Sequence, residues 1–231
     1  MAVEQPPGGE KLEGGGAASR LQILSTEHWS LLATRSLSYT ESFSRVSMFF
    51  SVLSGAVISL ALIAQAGRLG ATFIVATILI LSVVIFVGVA TIVRLMAVNR
   101  DDLRWVTGMN RLRHAYLELN PELERFFTTA WYDDARGISL TMGIEELPYR
   151  SRLRNVAHGY QTLPGMLSVI VAVVAGALGA LVAMAVGASQ TAAVATGVFA
   201  FLITLGILSA YGWRSINSYA KDLAPRFPSA K

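Results

Sequence analysis

The hydrophobic residues of the chain fall in four blocks, which lie within three uncharged stretches. No Asp, Glu, Lys or Arg occurs among the 22 residues of 46–67, the 25 residues of 69–93 or the 59 residues of 155–213. A bilayer core about 30 Å thick is crossed by roughly 20 apolar helical residues. The first two stretches therefore fit one span each, and the third fits two spans joined by a turn near residues 187–190. We predict membrane spans at about 46–66, 72–93, 165–187 and 191–212.

The composition and the prolines agree with membrane spans. Only 15% of the residues are charged and 53% are hydrophobic, whereas a soluble domain carries about 25% charged residues. All seven prolines lie outside the predicted spans, where the missing backbone donor costs least. Four buried helices of a soluble protein are the alternative, and the length of the uncharged stretches disfavours it.

The placement of the basic residues predicts the orientation. Of the 19 Lys and Arg residues, only Arg68 lies in a turn between paired spans, and ten arginines lie between the second and third spans. Lys and Arg accumulate in cytoplasmic segments. We therefore predict a multi-pass protein of the cell membrane with both termini and the central segment in the cytoplasm, and with the lipid bilayer as its main surroundings.

The predicted fold is all-α, with four transmembrane helices in two hairpins and long cytoplasmic helical extensions. One helix is expected from about Thr26 through the first span, and the second span continues as a helix over 71–119. Asn120-Pro121 then begins a helix over 121–135, followed by a loop at 138–143. The predicted segments are a disordered tail (1–19), an N-terminal helix with the first hairpin (20–98), a cytoplasmic helical segment (99–163), the second hairpin (164–213) and a cytoplasmic tail (214–231).

Pro148 begins a further predicted cytoplasmic helix that carries three closely spaced arginines. Tyr149, Leu153, Val156 and Tyr160 form an apolar stripe on this helix, and the arginines flank it. Such a helix can lie at the anionic inner leaflet with its arginines at lipid headgroups. The alternative is that the stripe packs on other helices and the arginines are solvated. The candidate headgroup contacts are Arg150, Arg152 and Arg154.

Catalytic and metal-binding patterns are weak in this sequence. His114 and Glu118 have helical i,i+4 spacing, but two candidate ligands are a poor signal for a metal site. Adjacent acidic pairs such as Asp133-Asp134 do not face each other on a helix. Cysteine is absent, and the charge pattern gives no nucleic-acid footprint. We expect no enzyme activity, no cofactor, no metal and no nucleic-acid partner.

A stripe of hydroxyl side chains follows the first span and its N-terminal extension. At 100° per residue, Ser36, Thr40 and the serines of the span fall within about 80° of one another. The stripe either lines a water-filled pathway or forms interhelical contacts of the kind that Ser and Thr make in membranes. We call its membrane part the hydroxyl face: Ser44, Ser47, Ser51, Ser54 and Gln65.

Small residues form a ridge on the third span. They repeat at four-residue intervals, a pattern that allows two helix backbones to approach closely. The partner is either the fourth span or another subunit. The predicted packing ridge comprises Ala172, Ala175, Gly176, Gly179 and Ala183.

Two functional hypotheses follow from these features. The first is a homo-oligomeric channel or pore, with the first span lining the pathway and the cytoplasmic helices forming a vestibule. The second is a membrane scaffold or accessory subunit that docks a cytoplasmic protein partner through Trp29, Trp105 and Trp131, since aromatic residues anchor interfaces. A membrane enzyme that uses His114 or the acidic pairs is a third, weaker hypothesis.

The topology can be tested by labelling introduced cysteines, because the native chain has none. Cysteines at Gly67 and Ser189 should react with an impermeant reagent added outside intact cells, and a cysteine at Gly137 should not. Labelling of the Gly137 position from outside would overturn the predicted arrangement.

Overall fold

A computed structural model describes residues 9–66, 70–143, 159–222 and 224–229 of the chain. The regular structure of these residues is helical. Four of the helices are long and apolar enough to cross a membrane, which confirms the all-α class and the four predicted apolar helices. The helices are α1 (Gly9–Ala66), α2 (Ala71–Leu119), α3 (Ala135–Thr141), α4 (Leu163–Ala185) and α5 (Gln190–Asp222), with a 3₁₀ helix at Pro121–Phe126.

The first long helix begins earlier than its sequence predicted. The expected start was about Thr26, after a disordered tail over 1–19, but α1 begins at Gly9 and makes residues 9–19 helical. Several glycines in this stretch favoured disorder, because each costs about 1 kcal/mol in a helix. Extending an existing helix needs no new nucleus, and the rest of α1 supplies that helix. The bounds of α2 match the predicted range 71–119.

The prediction of one helix over 121–135 and a loop over 138–143 is wrong. A 3₁₀ helix occupies Pro121–Phe126, and Phe127 has an extended backbone. A new helix starts at Ala135, where the Asp134 side chain accepts a hydrogen bond from the Gly137 N–H. Asp is among the best N-cap residues, and this local bond sets the start of α3. The segment before it is not helical, because the Tyr132 carbonyl and the Asp133 N–H bond to Asn110 and Phe227 instead of within a helix. The helix predicted from Pro148, with Arg150, Arg152 and Arg154, lies outside the described residues.

The chain divides into two compact units, which we describe separately. The spanning unit comprises residues 39–100 and 148–221, and the accessory unit comprises residues 1–38, 101–147 and 222–231. The spanning unit contains all four predicted spans.

The core of the spanning unit is built mainly from α1, α2 and α4, and α5 contributes Leu208. Phe49, Ile92 and Leu167 are fully buried there. Gly88 of α2 has no side chain, and the space that a Cβ atom would need is taken by the side chains of Phe49 and Val171. The bare backbone of Gly88 therefore lets α1 and α4 pack closely on α2.

The small-residue ridge of α4 lies against α5 of the same chain. A Cβ atom on Gly176 would be 2.9 Å from the carbonyl oxygen of Gly197, and one on Gly197 would be 2.9 Å from the carbonyl oxygen of Gly176. A Cβ atom on Gly179 would be 2.9 Å from the Cβ of Ala200. Ala172 and Ala183 are buried and Ala175 is half-buried. The ridge is therefore used within the protomer.

Replacing Gly179 with Leu should destabilise the spanning unit by about 1–3 kcal/mol, because added atoms force packed backbones apart. Gly206→Leu is the matched control, since Gly206 lies on α5 with nothing within 4 Å of an added Cβ. Thermal unfolding in detergent measures both. Equal melting temperatures for the two variants would contradict the close packing at Gly179.

Candidate functional site

The hydroxyl face lies on the exposed side of α1 in the protomer. Ser44, Ser47, Ser51, Ser54 and Gln65 are all exposed. The residues of α1 that enter the core are Val46, Phe49 and Ala56, and at 100° per residue they lie on the opposite side of the helix. The hydroxyl face is therefore not used for packing within the spanning unit.

The polar groups of this face include hydroxyls that are satisfied by the helix itself. The Ser51 hydroxyl donates to the Ser47 carbonyl oxygen at 3.0 Å, a bond that serine forms readily inside a helix. Large apolar side chains flank the face, since Phe43 and Phe50 are also exposed. At 100° per residue both phenylalanines lie on the same side of the face. The result is a neutral surface with one aromatic border and no charged group, on which exposed Ile58 and Leu62 separate the serines from Gln65.

Three charged residues lie together where the first predicted span begins and the second one ends. Glu41 accepts hydrogen bonds from the Nε atoms of Arg45 at 2.7 Å and Arg94 at 2.8 Å, and from Arg94 Nη2 at 2.8 Å. These arginines are the charges that delimit the two spans in the sequence. Hydrogen bonds from Arg94 and Arg45 lower the pKa of Glu41 to about 2. The Glu41 carboxylate thus connects the N-terminal end of the first span to the C-terminal end of the second.

In the accessory unit, α1 and α2 are joined by an ion pair. Arg35 contacts Asp102 through Nε at 2.6 Å and through Nη2 at 3.3 Å. Both side chains are largely buried, and two-point guanidinium–carboxylate contacts are geometrically specific. The acid that directly precedes Asp102 in the sequence, Asp101, contacts Arg104 at the surface instead. Adjacent acids thus serve different partners.

A buried amide organises the next part of the accessory unit. Asn110 is fully buried, and its Nδ2 donates to the Tyr132 carbonyl oxygen at 2.9 Å. Its Oδ1 accepts from Arg113 at 2.8 Å and from Thr141 at 2.9 Å. The amide therefore connects α2 to α3 and to the segment that precedes α3. Sequence reasoning missed Asn110, because one Asn in a polar helix is an ordinary surface residue until its neighbours are known.

Asp133 is a buried carboxylate with three donors. Arg111 Nε contacts Oδ2 at 2.7 Å, and the backbone N–H groups of Arg226 and Phe227 donate to Oδ2 at 3.0 Å and Oδ1 at 2.8 Å. Burial raises the pKa of this carboxyl, but the hydrogen bonds from Arg226, Phe227 and Arg111 outweigh burial and leave the pKa below its ordinary value. The carboxylate is therefore ionised near neutral pH.

Asp134 uses its two oxygens in different directions. Oδ1 accepts from the Gly137 N–H at 2.8 Å and caps α3, and Oδ2 accepts from the N–H and the hydroxyl of Ser229 at 2.8 and 2.6 Å. The pair Asp133-Asp134 had been interpreted as two acids that do not face each other. In the structure both contact the C-terminal segment, which only the tertiary fold brings to them.

His114 and Glu118 do not form a developed metal site. Their Nε2 and Oε1 atoms are 3.6 Å apart, and the His114 ring stacks on Phe227 with centroids 4.0 Å apart. Within the described ranges, no group of three or more His, Cys, Asp or Glu side chains is placed to hold a metal ion. The ring of His114 thus serves as a packing surface for the C-terminal segment.

The tryptophans proposed as partner anchors have different surroundings. Trp29 is 70% exposed on α1. Trp105 is half-buried, and its indole nitrogen has no hydrogen-bond partner among the described residues. Trp131 packs edge-on against Tyr132 with centroids 5.3 Å apart. Of the three, Trp29 is the one most available to a partner.

Comparison of the chain with protein families, with curated proteins and with solved structures finds no match. Functional inference therefore rests on the residues and contacts described above.

The Glu41 cluster predicts a pH-dependent contribution to stability. Because the folded pKa of Glu41 lies below the ordinary value of 4.5, the stabilisation is complete above about pH 5 and is lost as the pH falls toward 2. Glu41→Gln should lower stability near neutral pH by about 1 kcal/mol or less, since partly exposed pairs are screened. The difference from the wild type should shrink between pH 4.5 and 2.

Unfolding in detergent across this pH range measures the effect, and Glu122→Gln is the control because Glu122 is exposed on the 3₁₀ helix. A Glu41→Gln deficit that is independent of pH would contradict an ionised, arginine-bound Glu41.

Proposed function

We propose that this chain is the subunit of an oligomeric membrane channel whose pathway is lined by the hydroxyl face of α1. The observation that carries the proposal is the exposure of Ser44, Ser47, Ser51 and Ser54 on the side of α1 opposite the core. In this proposal both termini are cytoplasmic, the four spans form two hairpins, and the helical extensions form a vestibule.

The exposed position favours a pathway over packing within the chain. If the serines served as contacts between the spans of one protomer, they would be buried against α2, α4 or α5. The close helix contacts of the spanning unit use other residues, namely the glycines at positions 88, 176, 179 and 197. The hydroxyl face is left for water, lipid or a neighbouring subunit, and aligned hydroxyls favour water among these because they can hydrate a permeating solute.

The membrane part of the pathway would be neutral. No charged residue occurs within any predicted span, and proton- or ion-coupled transporters usually have an ionisable group near the middle of the membrane. A passive pore needs no such group, since hydroxyl and backbone oxygens replace part of the hydration shell. This supports a channel over a coupled transporter.

A membrane scaffold is the second candidate, and a separate observation favours it. Ile23, Trp29 and Leu37 in the accessory unit are exposed by 66%, 70% and 69%. At 100° per residue they lie within about 120° of one another on α1, and an apolar surface on one side of a helix is typical of protein interfaces. In that case the accessory unit would dock a cytoplasmic protein, and purified protein would give no flux in liposomes.

Substitutions at Ser51 test the channel. Ser51→Leu should narrow and dry the pathway and reduce conductance while assembly is retained, and Ser51→Asp should raise cation over anion permeability. Single-channel or liposome-flux recordings measure both effects. Ser82 provides the matched control, because it is an exposed serine on α2 whose hydroxyl also bonds back to its own helix, at 2.7 Å from Ile78 O.

Equal effects of Leu at positions 51 and 82 would contradict a pathway on α1. Failure of Ser51→Asp to assemble would also contradict it, because a desolvated Asp in a protein contact costs about 2.5–3.5 kcal/mol near mid-helix.

A further inference from the structure

The C-terminal residues 224–229 lie along the accessory unit as a peptide ligand lies in a binding site. The segment reads Ala-Pro-Arg-Phe-Pro-Ser and has no helical structure. It contacts residues that are far away in sequence, from α2 and from the turn before α3. These contacts fix three of its residues: Arg226, Phe227 and Ser229.

The backbone N–H groups of the segment donate hydrogen bonds to two carboxylates, those of Asp133 and Asp134. The N–H groups of Arg226 and Phe227 bind the two oxygens of Asp133, and the N–H of Ser229 binds Asp134. Pro225 and Pro228 have no N–H to place. From position 225 to 229, every backbone donor of the segment is therefore bound to an aspartate.

The reverse contacts complete the recognition. The Asp133 N–H donates to the Phe227 carbonyl oxygen at 3.1 Å. Both backbone groups of Phe227, its N–H and its C=O, are therefore bonded to Asp133. The Phe227 ring stacks on His114 at 4.0 Å, and the Ser229 hydroxyl donates to Asp134 at 2.6 Å. The site therefore contacts the side chains of Phe227 and Ser229 as well as the backbone of the segment. The chain bends at Arg226 and Phe227, so that two successive N–H groups reach the same carboxylate, and the proline on each side restricts the backbone next to this bend.

We propose that Arg111, His114, Asp133 and Asp134 form a recognition site for a Pro-Arg-Phe-Pro-Ser peptide that bends at Arg-Phe, and that the chain's own C-terminal segment occupies this site as a releasable ligand. Arg111 has a supporting role, because its guanidinium balances the charge of buried Asp133 at 2.7 Å. The site is independent of the proposed pathway, since all its residues belong to the accessory unit.

The covalent tether explains why modest contacts suffice. A ligand on a short linker has an effective concentration of about millimolar, so even weak affinity keeps the site filled. The segment itself is not enclosed, because Pro225, Arg226 and Pro228 are exposed. A free peptide, or a partner that displays the same pattern, would bind only when the tethered copy is weakened.

Spin labelling of the full-length protein tests occupancy. The chain has no native cysteine, so a nitroxide on Pro228→Cys reports on the segment alone. The label should be immobile in the otherwise unchanged chain and become mobile in Ser229→Glu, where a carboxylate faces Asp134. Asp133→Asn should also release it, whereas the control Asp101→Asn should not. A label that stays immobile in Ser229→Glu and Asp133→Asn would overturn the proposal.

Binding in trans tests recognition. A fluorescent peptide of residues 224–229 should bind saturably to full-length Ser229→Glu protein, and should bind much more weakly to wild type because the tethered segment competes. Replacing Phe by Ala in the peptide should weaken binding about tenfold through loss of the ring contact. Absence of binding to Ser229→Glu protein with wild-type thermal stability would overturn the proposal. Label mobility that rises on dilution would overturn the intrachain occupant and assign the site to a second copy.

Discussion

A hydrocarbon layer admits uncharged helices and excludes unpaired charges. The uncharged stretches of the sequence form four helices that are long and apolar enough to meet this constraint. The cluster at Glu41 relates to the same constraint. Arg45 precedes the first uncharged stretch, Arg94 follows the second, and both arginines bind the Glu41 carboxylate. The charges at the ends of these helices therefore stabilise the fold as well as delimit its apolar part.

Within the spanning unit, the helices pack closely at glycines, which have no side chain to separate the backbones. Lipid is as apolar as leucine, so helices in a membrane gain little from apolar contact alone and depend on shape and proximity. Gly88 gives room to Phe49 and Val171, and Gly176 and Gly197 bring α4 and α5 together. With these contacts made inside the protomer, the exposed hydroxyls of α1 have no packing role there, and this leaves them available for the proposed pathway.

The accessory unit depends on polar contacts more than the spanning unit does. Its interior contains polar groups, and each of the main ones is matched by partners: Asp102 by Arg35, Asn110 by three neighbours, and Asp133 by three donors. Buried polar groups are tolerated when their hydrogen bonds are complete. The C-terminal segment contributes to this balance, since it supplies two of the donors of Asp133. Its release would leave a buried carboxylate with Arg111 as its remaining partner.

The sequence by itself determined the class of the protein, the four apolar helices and the length of α2, because these depend on the distribution of charge and hydrophobicity along the chain. It also located the ridge on the third span but left its partner open between the fourth span and another subunit. The apolar periodicity was misleading between residues 119 and 143, where long-range bonds to the backbone of Tyr132 and Asp133 replace helical ones and the N-cap at Asp134 begins a separate helix. The tertiary structure alone decided which side of α1 faces the core, that the ridge contacts α5, and that Asp133 and Asp134 bind Arg226, Phe227 and Ser229. Those contacts join residues more than ninety positions apart, and no pattern within one segment can specify a partner that only the folded chain brings near.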